Sequence, residues 1–243
     1  MKRLRTLVVA VLENQIISFL TDRKNNVYDF AVTTGNSLRS IVRDYKFVSK
    51  VILIVDIKPE MLLREFPVTM EKDLHNIATN SLRNNFSYLT QERYTMGWRL
   101  LAVKKEIYTV LIASEISKVE PYIKVFEELK IEIDVLDIYE NFANLYICQQ
   151  DKRDKIIIFN LGERVVLHIV KDNLFQFVNT LYNEDFLFNL SGIQTKIDIA
   201  YIENGVCKNI VDYLEAEKVE IVHFDNVFEL FAMDTFDVKR YFN

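Results

Sequence analysis

One ordered pattern of segments occurs twice along this chain, and it limits the fold more than any other feature. Residues 4–12 are short, apolar and rich in β-branched side chains, as in a strand buried on both faces. Residues 15–21 and 26–33 read as two further strands. Asn14 marks the first turn and Lys24, Asn25 and Asn26 the second, residue types that suit tight turns. A helix is predicted over 37–45 with Asn36 as its N-cap, then a buried strand over 51–56. The opening recurs with strands at 155–161, 165–170 and 174–178, the last two joined at Lys171, Asp172 and Asn173. A helical patch over 184–190, a strand over 197–202, a helix over 208–215, a strand over 219–223 and a helix over 227–233 complete the second half. The duplication is one of topology rather than of sequence. It predicts an α/β fold in two halves, 1–150 and 151–243, with the hinge between Gln149 and Asp154.

The first half carries an α+β insert over about 58–114. It reads as a strand over 61–66, a helix over 71–83 with Leu74, Ile77, Ala78 and Leu82 at helical spacing, and an antiparallel pair over 94–102 and 108–113. A helix over 115–129 containing Pro121, a strand over 131–136 and a helix over 139–148 lead to the hinge.

Composition narrows the chemistry. The chain has 5 Gly and 3 Pro, where average usage in 243 residues predicts roughly 29. Glycine-dependent phosphate loops are therefore few. Half of the residues are hydrophobic, so a core is available and disorder is excluded. The formal net charge of −5 lacks the basic stripe of a nucleic-acid binder. The basic N-terminus, Lys2, Arg3 and Arg5, reads as a solvated end. Two isolated cysteines, Cys148 and Cys207, imply a reducing compartment. No signal peptide and no apolar run of membrane-spanning length is visible, so the sequence reads as soluble.

Enzyme motifs are weak. His75, His168 and His223 have no metal-ligand spacing and read as partly buried structural residues. Cys148 sits on an apolar helix, away from any setting that activates a thiol. The carboxylates Glu13, Asp56, Asp134 and Asp137 are the candidates for a two-metal nuclease. However, the middle of the first strand holds Val9 and Ala10, where such an enzyme needs an aspartate. Asn160 and Gly162, and Asn204 and Gly205, are candidates for lining a weak nucleotide pocket; plain tight-turn chemistry accounts for them more readily. Phe86, Tyr88, Tyr94 and Trp98 of the insert are candidate partner-binding residues, since aromatics anchor interfaces as well as small cores.

Two such halves describe the actin-like ATPase superfamily, whose halves are RNase H-like domains. Within it the chain resembles PilM-type proteins of type IV pilus machines and the actin-like cytoplasmic domains of GspL-type and BfpC-type proteins. The matching stretches are Val51-Ile-Leu-Ile-Val-Asp56, Met61-Leu-Leu-Arg-Glu-Phe-Pro67, Asp73-Leu-His-Asn-Ile-Ala-Thr-Asn-Ser-Leu82, residues 122–137 and Asn141-Phe-Ala-Asn-Leu145. Ile156-Ile-Ile-Phe-Asn-Leu-Gly162 stands at the second phosphate loop, and Ile202-Glu-Asn-Gly-Val-Cys-Lys-Asn-Ile-Val-Asp-Tyr-Leu214 at the adenosine loop. The superfamily's phosphate loop needs Asp-x-Gly-Ser/Thr. Here the first loop reads Leu12-Glu13-Asn14-Gln15 and the second Asn160-Leu161-Gly162-Glu163-Arg164. The resemblance therefore implies an actin-like fold with a decayed ATP site: a cytoplasmic scaffold at the inner face of the inner membrane, with no catalytic residue, metal or cofactor. The implied partners are a PilN-like or BfpC-like membrane-protein tail, the polytopic platform protein and the assembly ATPase, and a homodimer is compatible with it. The alternative it implies is an active nucleotide switch of the PilM or FtsA type, holding ATP and Mg.

Overall fold

The structure is a computed structural model. It describes residues 5–22, 24–35, 37–45, 48–67, 73–90, 92–103, 106–172, 174–186, 190, 196–231 and 235–236, with the backbone alone at 97–103, 106–108 and 174. The chain forms two compact units. Unit 1 comprises Met1–Ile57, Ser117–Gln150 and Leu230–Asn243, and unit 2 comprises Lys58–Ile116 and Asp151–Glu229.

Unit 1 is built on a five-stranded sheet. Its strands are β1 (Thr6–Val11), β2 (Ile16–Thr21), β3 (Val27–Thr33), β4 (Lys50–Val55) and β8 (Val135–Ile138), in the spatial order β3-β2-β1-β4-β8. β1 pairs antiparallel with β2 and parallel with β4. Every residue of β1 is buried, as a central strand covered on both faces requires. The helix α1 (Leu38–Asp44) connects β3 to β4. Its N-cap is Ser37, whose side chain accepts the Ser40 N–H, so the expected cap at Asn36 moves one residue on. Asn36 itself lies outside the described residues. The helices α3 (Ile116–Glu128) and α4 (Tyr139–Gln150) follow the insert, and α3 carries Pro121 in its interior. The strand expected over 131–136 is shorter and later, because Asp134 turns back to accept the Val51 N–H at 2.8 Å.

After unit 2 the chain returns to unit 1. Thr235 bridges Asn26, and the Phe236 N–H donates to the Asn25 carbonyl at 2.9 Å. Phe236 is fully buried against Phe142 (ring centroids 5.1 Å apart), Phe19 (5.9 Å) and Tyr146 (6.2 Å). The expected final helix over 227–233 is in fact a single 3-10 turn, Val227–Glu229, and residues 232–234 lie outside the described residues. Truncating a fully buried Phe to Ala costs about 3–5 kcal/mol, the lost transfer energy plus the cavity. Phe236→Ala is therefore expected to destabilise unit 1 by that amount, read as a lower urea midpoint at unchanged slope. An unchanged midpoint would show that the aromatic anchor is dispensable.

Unit 2 repeats the arrangement. Its strands β9 (Lys155–Asn160), β10 (Arg164–Lys171), β11 (Leu174–Tyr182), β12 (Ile199–Glu203) and β13 (Glu220–Phe224) lie in the order β11-β10-β9-β12-β13. Position for position, this is the order of the first sheet. Even the first turns match: Leu12 N–H donates to Gln15 O, and Leu161 N–H to Arg164 O, both at 2.9 Å. The helix α5 (Lys208–Ala216) packs Ile210 and Leu214 onto Ile156, Ile158, Leu167 and Ile202.

The insert supplies β5 (Glu60–Pro67), α2 (Leu74–Asn85), β6 (Tyr94–Val103) and β7 (Glu106–Glu115). Although it lies in sequence between β4 and α3, it packs with the second half. β5 joins β11, so the sheet of unit 2 has eight strands in the order β13-β12-β9-β10-β11-β5-β7-β6. A contiguous division at 150/151 would separate elements that share this sheet. The reason lies in long-range contacts. Strand β11 has an open edge, the Met61 N–H donates to Thr180 Oγ1 at 2.9 Å, and the buried Glu60 carboxylate bonds the Arg164 guanidinium. A buried carboxylate is stable only when paired in this way. The insert has its own small core of Leu62, Leu74, Ala78, Leu82, Leu89 and Leu111.

Candidate functional site

The four expected loop residues converge within unit 2, at the ends of β9 and β12. The Asn160 N–H donates to Glu203 Oε2 at 2.8 Å. The Asn160 side chain works in both directions: Oδ1 accepts the Gly162 N–H at 2.9 Å, and Nδ2 donates to the Asn204 carbonyl at 3.3 Å. Asn204 Nδ2 donates in turn to Asp225 Oδ1 at 2.7 Å. Gly162 (φ +83°) and Gly205 (φ +87°) both occupy the left-handed region that favours glycine. At Gly205 a Cβ would also stand 2.5 Å from Asn160 Nδ2, so the close approach of the two turns requires glycine there.

These contacts form a bracket that joins the two turns. A phosphate loop works by presenting unbonded backbone N–H groups and a cation to the anion. Here a carboxylate takes the Asn160 amide, a carboxamide takes the Gly162 amide, and Asn183 Nδ2 bonds the Gly162 carbonyl at 3.0 Å. Arg164, the cation of the turn, is bonded to Glu60 and, at 3.0 Å, to the Tyr88 hydroxyl. Glu163, Glu203 and Asp225 make the surroundings acidic.

The corresponding turn in unit 1, Leu12 to Gln15, leaves Glu13 exposed at its tip. Of the other carboxylates weighed for metal chemistry, Asp134 bonds the Val51 amide, and Asp137 Oδ1 accepts from Asn141 Nδ2 at 2.7 Å and from the Ile138 N–H. No group of three His, Cys, Asp or Glu side chains that could hold a metal occurs among the described residues. His75 and His223 are exposed, whereas His168 is fully buried on β10.

The candidate partner-binding aromatics divide. Tyr88 is 48% exposed, and burial of its hydroxyl, then the Glu60 carboxylate, pushes its pKa above the ordinary value. Phe86 and Tyr94 are partly buried on the insert core, with ring centroids 6.2 Å and 6.4 Å from Tyr88. Arg93 stacks 5.9 Å from the Tyr94 ring centre. Trp98 lies on β6 in register with Leu111, and its side chain lies outside the described residues. Between α2 and β6, His75, Thr79, Tyr94, Thr95, Met96 and Ile116 line an open groove of about 290 Å³. β6 is an edge strand of its sheet, so the groove adjoins an edge of the kind to which an extended peptide can add.

A buried ionic group not visible in the sequence lies at the start of β9. Asp151 accepts from the Arg153 side chain and backbone and, at 2.7 Å, from the Tyr201 hydroxyl. Lys155, fully buried, donates through Nζ to the carbonyls of Asp151 (2.9 Å) and Arg153 (2.5 Å). Burial alone would raise the Asp151 pKa, but the hydrogen bonds from Arg153 and Tyr201 outweigh it and hold the value at about 2.

No protein-family model matches the chain, and no curated protein matches it. Solved structures do. A protein of actin-like ATPase fold and unknown function from Bacteroides thetaiotaomicron is similar over 92% of both chains, with a TM-score of 0.57 and 10% identity. The PilM-PilN type IV pilus biogenesis complex is similar over 98% of this chain and 92% of that one, with a TM-score of 0.62 and 12% identity. The chain has the actin-like ATPase fold. The likeness spans nearly the whole chain, both sheets and the insert included. The cytoplasmic domain of EpsL, an inner-membrane component of the Vibrio cholerae type II secretion system, is also similar, over 82% of this chain and 81% of that one, at a TM-score of 0.49 and 12% identity. No helix among the described residues is long and apolar enough to cross a membrane.

Proposed function

We propose that this chain is a non-catalytic scaffold on the cytoplasmic side of the inner-membrane assembly platform of a type IV pilus or type II secretion machine, linking membrane components to the assembly ATPase. The observation that carries the non-catalytic reading is the bracket: the amides of Asn160 and Gly162 are bonded to Glu203 and to the Asn160 side chain instead of facing an anion. The machine is suggested by the likeness to the PilM-PilN complex. The partner we assign is an extended tail of a PilN-like or BfpC-like membrane protein. The insert supports this with an exposed Tyr88, the neighbouring Phe86 and Tyr94, Trp98 on the edge strand, and the groove between α2 and β6. Contacts with the polytopic platform protein and the assembly ATPase complete the role.

Two experiments test it. A ligand present at 100 times its dissociation constant stabilises a protein by about 2.7 kcal/mol, which for a chain of this size raises the melting point by roughly 5–10 °C. Millimolar Mg-ATP and Mg-ADP are expected to give no shift. A clear shift would overturn the non-catalytic reading in favour of a nucleotide switch. A fluorescein-labelled tail peptide of the membrane partner is expected to bind the full chain, and Tyr88→Ala to weaken it by about tenfold, the 1.4 kcal/mol of a modest hot spot. Equal affinity of the variant would move the contact away from the insert.

A further inference from the structure

We infer that Asn204 is a site of spontaneous covalent modification, losing its amide to the backbone nitrogen of Gly205. Asn204-Gly205 is the single Asn-Gly step in the sequence. Both residues are exposed, at the turn after β12. Gly205 carries no side chain to shield its nitrogen, and no described residue accepts its N–H. Across the turn, the Val206 N–H to Glu203 carbonyl contact is long, at 3.4 Å. Asparagine is a thermolabile residue for this reason, and glycine after it removes the steric obstacle.

The step balances without an added catalyst. The Gly205 nitrogen attacks Asn204 Cγ, the N–Cγ bond forms, and the Cγ–Nδ2 bond breaks. Nδ2 leaves as ammonia, taking the proton from the Gly205 nitrogen. Water then opens the cyclic imide at either carbonyl, leaving aspartate or isoaspartate. Either product removes the Nδ2 donor held by Asp225 Oδ1 at 2.7 Å and sets a second carboxylate against Asp225. The isoaspartate also lengthens the backbone at a residue whose N–H bonds the Phe224 carbonyl and whose own carbonyl accepts from Asn160 Nδ2. Modification therefore takes apart the bracket between the two turns.

The test is to age the full chain at mildly alkaline pH and follow the peptide containing residue 204 by mass spectrometry, with isoaspartate read by enzymatic methyl transfer. The same chain unfolded in urea serves as the reference. The expected result is conversion of the Asn204 peptide in the folded protein, faster as pH rises, with none at residue 204 in Asn204→Gln. Retention of the amide by the folded protein while the urea-unfolded chain loses it would overturn the inference, because the folded turn would then protect the site.

Discussion

Lowering the pH from 7 to 5 is expected to destabilise unit 2 by about 2 kcal/mol through one residue, His168, at about 1.4 kcal/mol for each pH unit below the unfolded value. His168 is fully buried on β10, between Ile157 of β9 and Val178 of β11. Its ring meets Phe159 edge-on at 5.5 Å and Phe175 at 6.4 Å. Burial of the charged form pushes its pKa down from 6.5 to about 3. A folded-state pKa below the unfolded one means that the unfolded chain takes up the proton first. The stability tied to the neutral ring is therefore complete above pH 6.5 and is lost as the pH falls from there toward 3. Urea unfolding at pH 7 and pH 5, for the protein and for His168→Leu, separates this effect from any other. The variant is expected to show a much flatter dependence. Equal slopes in the two proteins would show that His168 is not the group being protonated.

Asp151→Ala is expected to cost about 1–3 kcal/mol, the range for leaving buried hydrogen-bond partners unsatisfied. The substitution removes the carboxylate that pairs with the Arg153 guanidinium at 2.9 Å and accepts the Arg153 N–H at 2.8 Å. It also frees the Tyr201 hydroxyl from its 2.7 Å contact. Asp151→Asn, which keeps an oxygen to accept from the Tyr201 hydroxyl and the Arg153 N–H, is expected to recover much of the loss. An Asp151→Asn variant as unstable as Asp151→Ala would mean that the charge of the carboxylate, rather than its hydrogen bonds, dominates. The pH dependence is distinct from that of His168. The Asp151 carboxyl sits at about 2 instead of 3.8, so its contribution is present above pH 3.8 and is lost only between there and about 2.

Much of the fold was legible in local sequence. The hydrophobic runs, the Asn-rich turns and the helical spacing of Leu74, Ala78 and Leu82 place strands and helices within a few residues, because these signals depend only on near neighbours. The doubled order of elements was enough to imply two copies of one sheet, and the sheets do share one strand order. The convergence of Asn160, Gly162, Asn204 and Gly205 was also foreseeable. In the repeated topology, residues that follow two adjacent parallel strands must end side by side, as the β9 and β12 pairing does.

What tertiary structure alone decided is long-range and polar. No local pattern assigns the insert to the second half, because the decision rests on Glu60 finding Arg164, 104 positions away, and on β5 finding the open edge of β11. The final helix fails for the same reason. Residues 227–229 have helical composition, but Thr235 and Phe236 are held by Asn26 and Asn25, in the turn before β3. Glu203, which closes the Asn160 amide, and Tyr201, which meets Asp151, are invisible to spacing arguments because they come from a distant strand, β12. The sequence by itself determined which segments become strands and helices and in what order. The tertiary structure decided which of them share a sheet and which polar groups meet, since a buried charge is placed by whichever distant partner satisfies it.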